Sequence, residues 1–379
     1  MSPEPTLPAA DSTDVLVVGA GVVGLSVARA LALAGLEVIV VERHKRVGEE
    51  TSSRNSGVIH SGIYYPTASA KARLCVRGRD LLYAYCAEKG IAHRRCGKII
   101  VAQASETEKL RGLLRQAALN GVTDLTWLDA AQVRELEPQV RADAGLLCPS
   151  TGIVDVHEYM TALHGDLEQH RGSVVFDTEL VRVQVEPTRI HAQLRTGHER
   201  SHVNCRWLIN AAGLHAVDVL RRIEGFPAAR IPQRHFAKGN YFDCAGPSPF
   251  RRLVYPMPAS AGLGIHATLD LAGKVRFGPD VEWIDEIDYA VDAARSSQFY
   301  AAIRTYWPSL RDGALTPSYA GVRPKLTGPN EPAADFRIET PREHGVDGIV
   351  NLLGIESPGL TASLAIGSQI AGELAASRP

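Results

Sequence analysis

Asp14-Val15-Leu16-Val17-Val18-Gly19-Ala20-Gly21-Val22-Val23-Gly24 opens the stretch that decides the fold; Leu25 to Ala34 and then Val38-Ile39-Val40-Val41-Glu42 complete it. The first apolar run predicts a buried strand, the glycine run a tight turn, and the alanine-rich segment a helix closed by Gly35. The second apolar run is the next strand, with an acid at its end. Gly19 permits the turn off the strand, Gly21 lets backbone approach a pyrophosphate, and Gly24 brings helix and strand close together. The helix start offers amide groups and partial positive charge to phosphates. Glu42 accepts hydrogen bonds from ribose hydroxyls. A glycine motif alone also occurs in plain core βαβ units. Here strand, helix, second strand and acid stand at the spacing that dinucleotide binding needs.

The 379 residues are enough for two domains, and 45% hydrophobic with 22% charged content is that of a globular protein. A net charge of −1 without long single-sign runs argues against a nucleic-acid surface. Six scattered cysteines form no CxxC pair, so no metal site and no dithiol redox pair is expected, and free thiols fit a reducing compartment. No apolar run is long enough to span a membrane. Residues 1–13, with Pro3, Pro5 and Pro8, read as a disordered tail rather than a signal peptide. The chain is expected in the cytoplasm, with peripheral contact at the inner face of the membrane and the oligomeric state left open.

Beyond Glu42 and Arg43, the loop Thr51-Ser52-Ser53-Arg54-Asn55-Ser56-Gly57 carries hydroxyls and amides suited to phosphate or flavin oxygens, and Val58-Ile59-His60-Ser61-Gly62-Ile63-Tyr64-Tyr65 follows it. These residues, with Lys71-Ala72 and Leu74-Cys75, resemble the L-2-hydroxyglutarate dehydrogenase/oxidase family. That family belongs to the FAD-dependent group that includes D-amino-acid oxidase and glycerol-3-phosphate dehydrogenase. Arg94-Arg95-Cys96-Gly97-Lys98, Thr151-Gly152-Ile153-Val154-Asp155 and Ala320-Gly321-Val322-Arg323-Pro324 extend the resemblance over residues 14 to 372. Lys238-Gly239-Asn240-Tyr241 departs from it, standing where many members carry Arg-Gly-Asp/Glu-Tyr. The loop Gly354 to Thr361 is closer to the amino-acid-oxidase pattern.

The resemblance implies an α/β (α+β) fold: a Rossmann-like FAD-binding domain with a parallel sheet, and a second domain whose mixed or antiparallel sheet lies over the flavin. Residues 14–78, 143–222 and 318–379 are assigned to the first domain, 79–142 and 223–317 to the second. Helices are expected over 71–88, from a Ser105 cap to Asn120, over 129–137 and 156–170, and from Asp288 to Trp307. Strands are expected at 98–102, 173–176, 180–185, 207–213 and 349–354. Leu180 is expected to place a backbone amide on the adenine. Ala211 and Gly213 are small so that the cofactor can lie close. At the closing end, Gly354, Gly359, Leu360 and Thr361 form a Pro-Gly loop and helix start aimed at the flavin's pyrimidine edge, where a reduced flavin carries negative charge. With Gly19, Gly21, Val23, Gly24, Glu42, Arg43, Ser52, Ser53, Asn55, Ser56 and Gly57, these make the expected FAD site. No cysteine in the closing loop suggests a covalent bond. Gly262-Leu263-Gly264 lacks the third glycine and the helix of a second nucleotide site, and no HExxH, GxSxG or P-loop motif occurs.

Oxidising a 2-hydroxy acid requires a carboxylate clamp and an acceptor for the hydroxyl proton. Arg323 suits the first, since a carboxylate in a dry pocket needs a paired cation. His60 and His266 suit the second, with His266 favoured as the base. Tyr255 is a further donor, as are Tyr64 and Lys238. The expected reaction is oxidation of an L-2-hydroxy acid, foremost L-2-hydroxyglutarate, to the 2-oxo acid by hydride transfer to flavin N5. Electrons then pass to a quinone, an electron carrier or oxygen. An amino-acid (amine) oxidase of the same fold is the alternative. A flavin-holding binding protein is the non-enzymatic one.

Overall fold

The chain, described by a computed structural model over residues 11–258 and 264–376, builds on two large sheets, with a small third one of Val58–Ile59, Gly152–Val154 and His93–Arg94. In the first, strand β1 (Asp11–Val18) runs into helix α1 (Val22–Leu33) and strand β2 (Val38–Val41). β1 and β2 pair in parallel from Val15 opposite Val38 to Val18 opposite Val41. Val15 to Val18 and Val38, Val40 and Val41 are almost wholly excluded from solvent, as expected when helices cover both faces of a parallel sheet. Gly35 ends the helix at φ +84°, the left-handed conformation that suits glycine.

The parallel core runs in the order Gly172–Val175, β2, β1, Glu199–Asn210 and Ile349–Leu353. Strands Thr178–Glu186 and Arg189–Thr196 extend it as an antiparallel meander on the long strand Glu199–Asn210. β1 begins earlier than the sequence suggests. Asp11, Ser12 and Thr13 pair with Val203, Asn204 and Cys205, and the Thr13 hydroxyl donates to the Glu37 carbonyl at 2.8 Å. The remainder of the expected tail, with its prolines, lies outside the described residues.

Helix α2 (Ala70–Lys89) and the closing helix Gly359–Ala376 pack with α1 on one face. The crossings are close. A Cβ on Gly78 would fall 2.2 Å from the Thr361 carbonyl, and one on Gly367 would fall 2.4 Å from that of Ser26. The chain's first helix and its last therefore lie against each other, although more than 300 residues apart in sequence.

The second sheet is mixed. Its order is Glu282–Ile284, His235–Cys244, Val275–Phe277, Ala267–Leu269, Leu253–Pro256, Lys98–Ala102, Ala144–Cys148 and Thr126–Asp129; Leu315–Lys325 also pairs with His235–Cys244. Among the described residues, only the contact of Leu253–Pro256 with Lys98–Ala102 is parallel in it. Ala144–Cys148 and Leu315–Lys325 belong to this sheet, so boundaries at 143 and 318 do not coincide with its edges.

Two helices start later than their patterns imply. Before Thr107–Leu119, a 3₁₀ turn at Ala104–Glu106 is capped reciprocally by Gln103 and Glu106, not by Ser105. In the segment from Asp288, the helix is confined to Ser296–Arg304. Asp288 receives Lys238 and the amide of Ala290, and Asp292 caps the short turn that precedes the helix. Acidic side chains that bond local backbone in this way oppose helix propagation.

Candidate active site

A cavity lined from both sheets runs from the β1–α1 turn to the start of the closing helix. At one end Gly19, at φ +102°, sits where a Cβ would be 2.7 Å from the Ala211 carbonyl, so the turn is closed to any larger residue. Gly21 heads α1 without a side-chain cap. Ser52 crosses from the small-residue loop and accepts from the Val22 amide at 3.0 Å. Glu42 lines the cavity, yet its carboxylate also braces the turn: one oxygen accepts from the Ala20 amide at 2.7 Å, the other from His44 at 2.9 Å.

Val23, Arg43, Asn55, Ser56, Leu180, Ala211, Gly213, Gly359 and Leu360 also line the cavity. Gly24, Ser53, Gly57, Gly354 and Thr361 stand behind it. A Cβ on Gly24 would meet the Gly19 carbonyl at 2.0 Å, so this residue serves the helix–turn contact. The Ser53 hydroxyl donates to the Gly48 carbonyl at 2.5 Å within its own loop. Gly57 and Gly354 make left-handed turns, at φ +62° and +64°. Thr361 is buried; its hydroxyl accepts from the His60 amide at 3.0 Å and donates to the Val58 carbonyl at 3.2 Å.

Several lining residues were not legible in the sequence. Glu50 accepts from His215 Nε2 at 3.1 Å and from His44 Nε2 at 3.3 Å. Burial raises the Glu50 carboxyl, but the two imidazoles outweigh it and leave it below the usual range. The 165-residue separation of Glu50 and His215 gives no pattern to read. Ser357, Tyr241 and Gly239 were within reach, because each belongs to a motif already singled out.

The far end of the cavity gathers Arg323, Tyr255, His266 and His60. Arg323 lies on a strand opposite Ala237, and its guanidinium occupies the space beside Gly239, where a Cβ would stand 2.8 Å from Nη2. Both of its terminal nitrogens approach the Asp280 carbonyl at a long 3.4 Å. Tyr255 and His266 stack face to face, with ring centres 3.5 Å apart and planes 7° from parallel. The His60 Nε2 is 3.4 Å from the Ser357 hydroxyl. Burial first, and the nearby Lys98 cation second, push the His60 imidazole down to about 3. Lys238 and Tyr64 are not among the cavity's lining residues, and Lys238 donates to Asp288 at 2.5 Å. Gly262 and Leu263 lie outside the described residues. Among the described residues no group of three or more His, Cys, Asp and Glu side chains is placed to hold a metal ion, and no helix is long and apolar enough to cross a membrane.

Residues 14–373 match the family model described as "FAD dependent oxidoreductase". The chain belongs to that family. Among curated relatives of this FAD-dependent oxidoreductase, the mitochondrial L-2-hydroxyglutarate dehydrogenase of Arabidopsis thaliana is 42% identical over 96% of this chain and 84% of the relative. The L-2-hydroxyglutarate dehydrogenase of Salmonella houtenae is 28% identical over 96% of this chain and 94% of its own. Of solved structures, the FAD-bound L-alpha-glycerophosphate oxidase of Mycoplasma pneumoniae superposes with a TM-score of 0.83 at 25% identity, covering 95% of this chain and 94% of that one. Glycine oxidase from Geobacillus kaustophilus shares the fold, with a TM-score of 0.81 at 18% identity over 98% of this chain and 96% of the other.

The cavity fits FAD on its own geometry. The side-chain-free approach at Gly19 and Gly21, the start of α1, whose first amide is taken by Ser52, and the acid at the end of β2 make a cradle for a diphosphate and ribose. The same cavity reaches Gly359 and Leu360 at the start of the closing helix. That helix start suits the negative charge of a reduced ring.

Proposed function

We propose that this FAD-dependent oxidoreductase oxidises L-2-hydroxyglutarate to 2-oxoglutarate. The observation that carries the reading is the convergence of Arg323, His266 and His60 at one end of the FAD cavity, in a chain 42% identical to an L-2-hydroxyglutarate dehydrogenase. Bound FAD supplies the hydride acceptor. The protein's residues do the rest.

Arg323 takes the substrate's C1 carboxylate as a bidentate pair, because its guanidinium has only one weakly bonded carbonyl to give up. His266 accepts the hydroxyl proton as the hydride leaves Cα. Tyr255, stacked on the imidazole, fixes its plane. His60 is a poor base, since its surroundings hold it neutral far below neutral pH; it serves as a hydrogen-bond acceptor that orients the hydroxyl. Thr361 holds the His60 backbone and so links this acceptor to the closing helix. FAD is bound without a covalent link by those of the expected residues that line the cavity, joined by Ser357 and Tyr241 at the ring end and by His215 and Glu50 at the other.

The first sheet with its helices carries the cofactor, and the second sheet covers the substrate. The acceptor that regenerates the flavin is a quinone, an electron carrier or oxygen. The protein works in the cytoplasm, at the inner membrane face if the acceptor is a quinone. The reading is tested by single turnover without oxygen. One equivalent of 2-oxoglutarate per flavin from L-2-hydroxyglutarate supports it. Ammonia released from L-glutamate, with no product from the hydroxy acid, overturns it in favour of an amine oxidase.

A further inference from the structure

Lys98 is the most anomalous charge in the molecule. It lies on the second sheet's strand Lys98–Ala102, with 1% of its surface exposed. Burying a cation is costly unless it is paired. Other buried lysines here are paired: Lys71 with Glu356, and Lys238 with Asp288. Among the described residues no carboxylate stands within 4 Å of Lys98 Nζ; instead the ammonium lies 4.8 Å from the ring centres of both Tyr64 and Tyr255. Such contacts return only part of the lost hydration.

The other groups around it offer no anion. The opposite residue in the sheet is Cys148, whose thiol donates to the Ser61 hydroxyl at 3.1 Å. On α2, Cys75 donates to the His60 carbonyl at 3.6 Å, and burial pushes its thiol up to about 12. Arg79, further along α2, adds a second positive charge that acts on Cys75. On the closing loop, Glu356 is held by Lys71 at 3.0 Å and Lys325 at 2.8 Å. What Lys98 does face, through one layer of side chains, is the cavity. Tyr255 and His60 both line it; the first bears the ammonium on its ring and the second feels its charge.

We propose that Lys98 is a positioning residue whose counter-charge is the anion held in the cavity, acting across Tyr255 and His60 without touching it. This rests on the reading of the cavity as an anion-binding substrate site. It deepens that reading by naming the residue that favours a dicarboxylate over a monocarboxylate. A buried, uncompensated cation one layer behind the wall favours each added negative charge in front of it, because low-dielectric surroundings screen it poorly. The same cation disfavours protonation of His60, which keeps that ring an acceptor. Burial itself pulls the Lys98 ammonium below its ordinary range, and an anion in front of it pulls the other way.

The test compares ligand binding by wild-type, K98M, K98Q and K98R holoenzymes, read from the perturbation of flavin absorbance. The probes are glutarate and pentanoate, which have similar length and differ by one carboxylate. K98M and K98Q are expected to weaken glutarate binding on the order of tenfold and pentanoate binding less, with K98R retaining the preference. Thermal midpoints of K98M should equal or exceed the wild type, because the substitution removes an unpaired buried charge. Equal losses for both ligands, or a lowered midpoint with an unchanged preference, overturn the proposal and make Lys98 a packing residue. So does a wild-type cavity that binds neither ligand or does not prefer glutarate, a result that needs no variant to fold. Flavin reduction by L-2-hydroxyglutarate with an indifferent K98M removes the Lys98 assignment alone. A charge preference lost in K98M, without reduction by that acid, removes the substrate reading and leaves Lys98 in place.

Discussion

The two ends of the cavity are built in opposite ways. At the diphosphate end, one continuous stretch supplies strand, turn, helix and acid, all within about thirty residues of β1's start. At the substrate end, His60, Tyr255, His266 and Arg323 come from four separated places, and Lys98 stands behind them from a fifth. A cofactor grip that depends on backbone shape can be local, because turn geometry and a helix start suffice. A site that must place a cation, a base and an acceptor around one carbon needs several strands of the second sheet, with His60 brought in after Val58–Ile59.

Breaking the local end should have the largest effect. Gly19→Val forces a β-branched residue into φ +102° with its Cβ 2.7 Å from the Ala211 carbonyl. The purified variant is expected to retain no flavin, read as loss of visible absorbance per protein. A yellow Gly19→Val protein would show that the turn is not where the cofactor is gripped.

Substitutions at the dispersed end should leave the colour and remove the chemistry. His266→Asn is expected to slow flavin bleaching by about 10²- to 10⁴-fold in anaerobic stopped flow, the usual worth of a positioned base. His60→Asn should cost less. The reverse ranking would exchange the two roles. Arg323→Ala should raise KM more than it lowers kcat and cost about 2–5 kcal/mol in kcat/KM, since a desolvated carboxylate loses its partner. Wild-type saturation behaviour in that variant would dismiss the clamp.

Acid should loosen the region where the ends meet. In the folded chain Glu356 is raised by burial and lowered further by Lys71 and Lys325, with a net shift below 4.5. Its contribution is therefore complete above about 4.5 and is lost as pH falls through the lower folded value. His60, at about 3 against an ordinary 6.5, adds a loss that starts nearer neutral pH, because the unfolded chain takes the proton first. Urea midpoints should fall from pH 7 to pH 5, and His60→Gln should flatten that slope. Smallest of all, Thr361→Val should cost about 1 kcal/mol by removing the bond to the His60 amide. A larger loss of activity than of stability would show that the closing helix positions His60.

The contrast also explains what the sequence discloses. β1, α1, β2 and the cavity-lining glycines are legible because each residue type has a local steric reason. The catalytic candidates were legible one by one, through their settings beside glycine, serine and proline. Their partnerships were not. Nothing in the spacing of Tyr255 and His266 announces a face-to-face stack, because it depends on Leu253–Pro256 and Ala267–Leu269 pairing in space. Nor does a lysine in an apolar strand announce that it will be buried without a carboxylate. Lys238 looked available until Asp288, fifty residues on, folded back to take it.

The most direct measurement is anaerobic mixing of the purified yellow protein with L-2-hydroxyglutarate, its D enantiomer and L-glutamate while flavin absorbance is followed. Rapid, complete bleaching by L-2-hydroxyglutarate, with the other two slow or inert, is the predicted result. Bleaching by L-glutamate in preference to the hydroxy acid, or by none of the three, would contradict it.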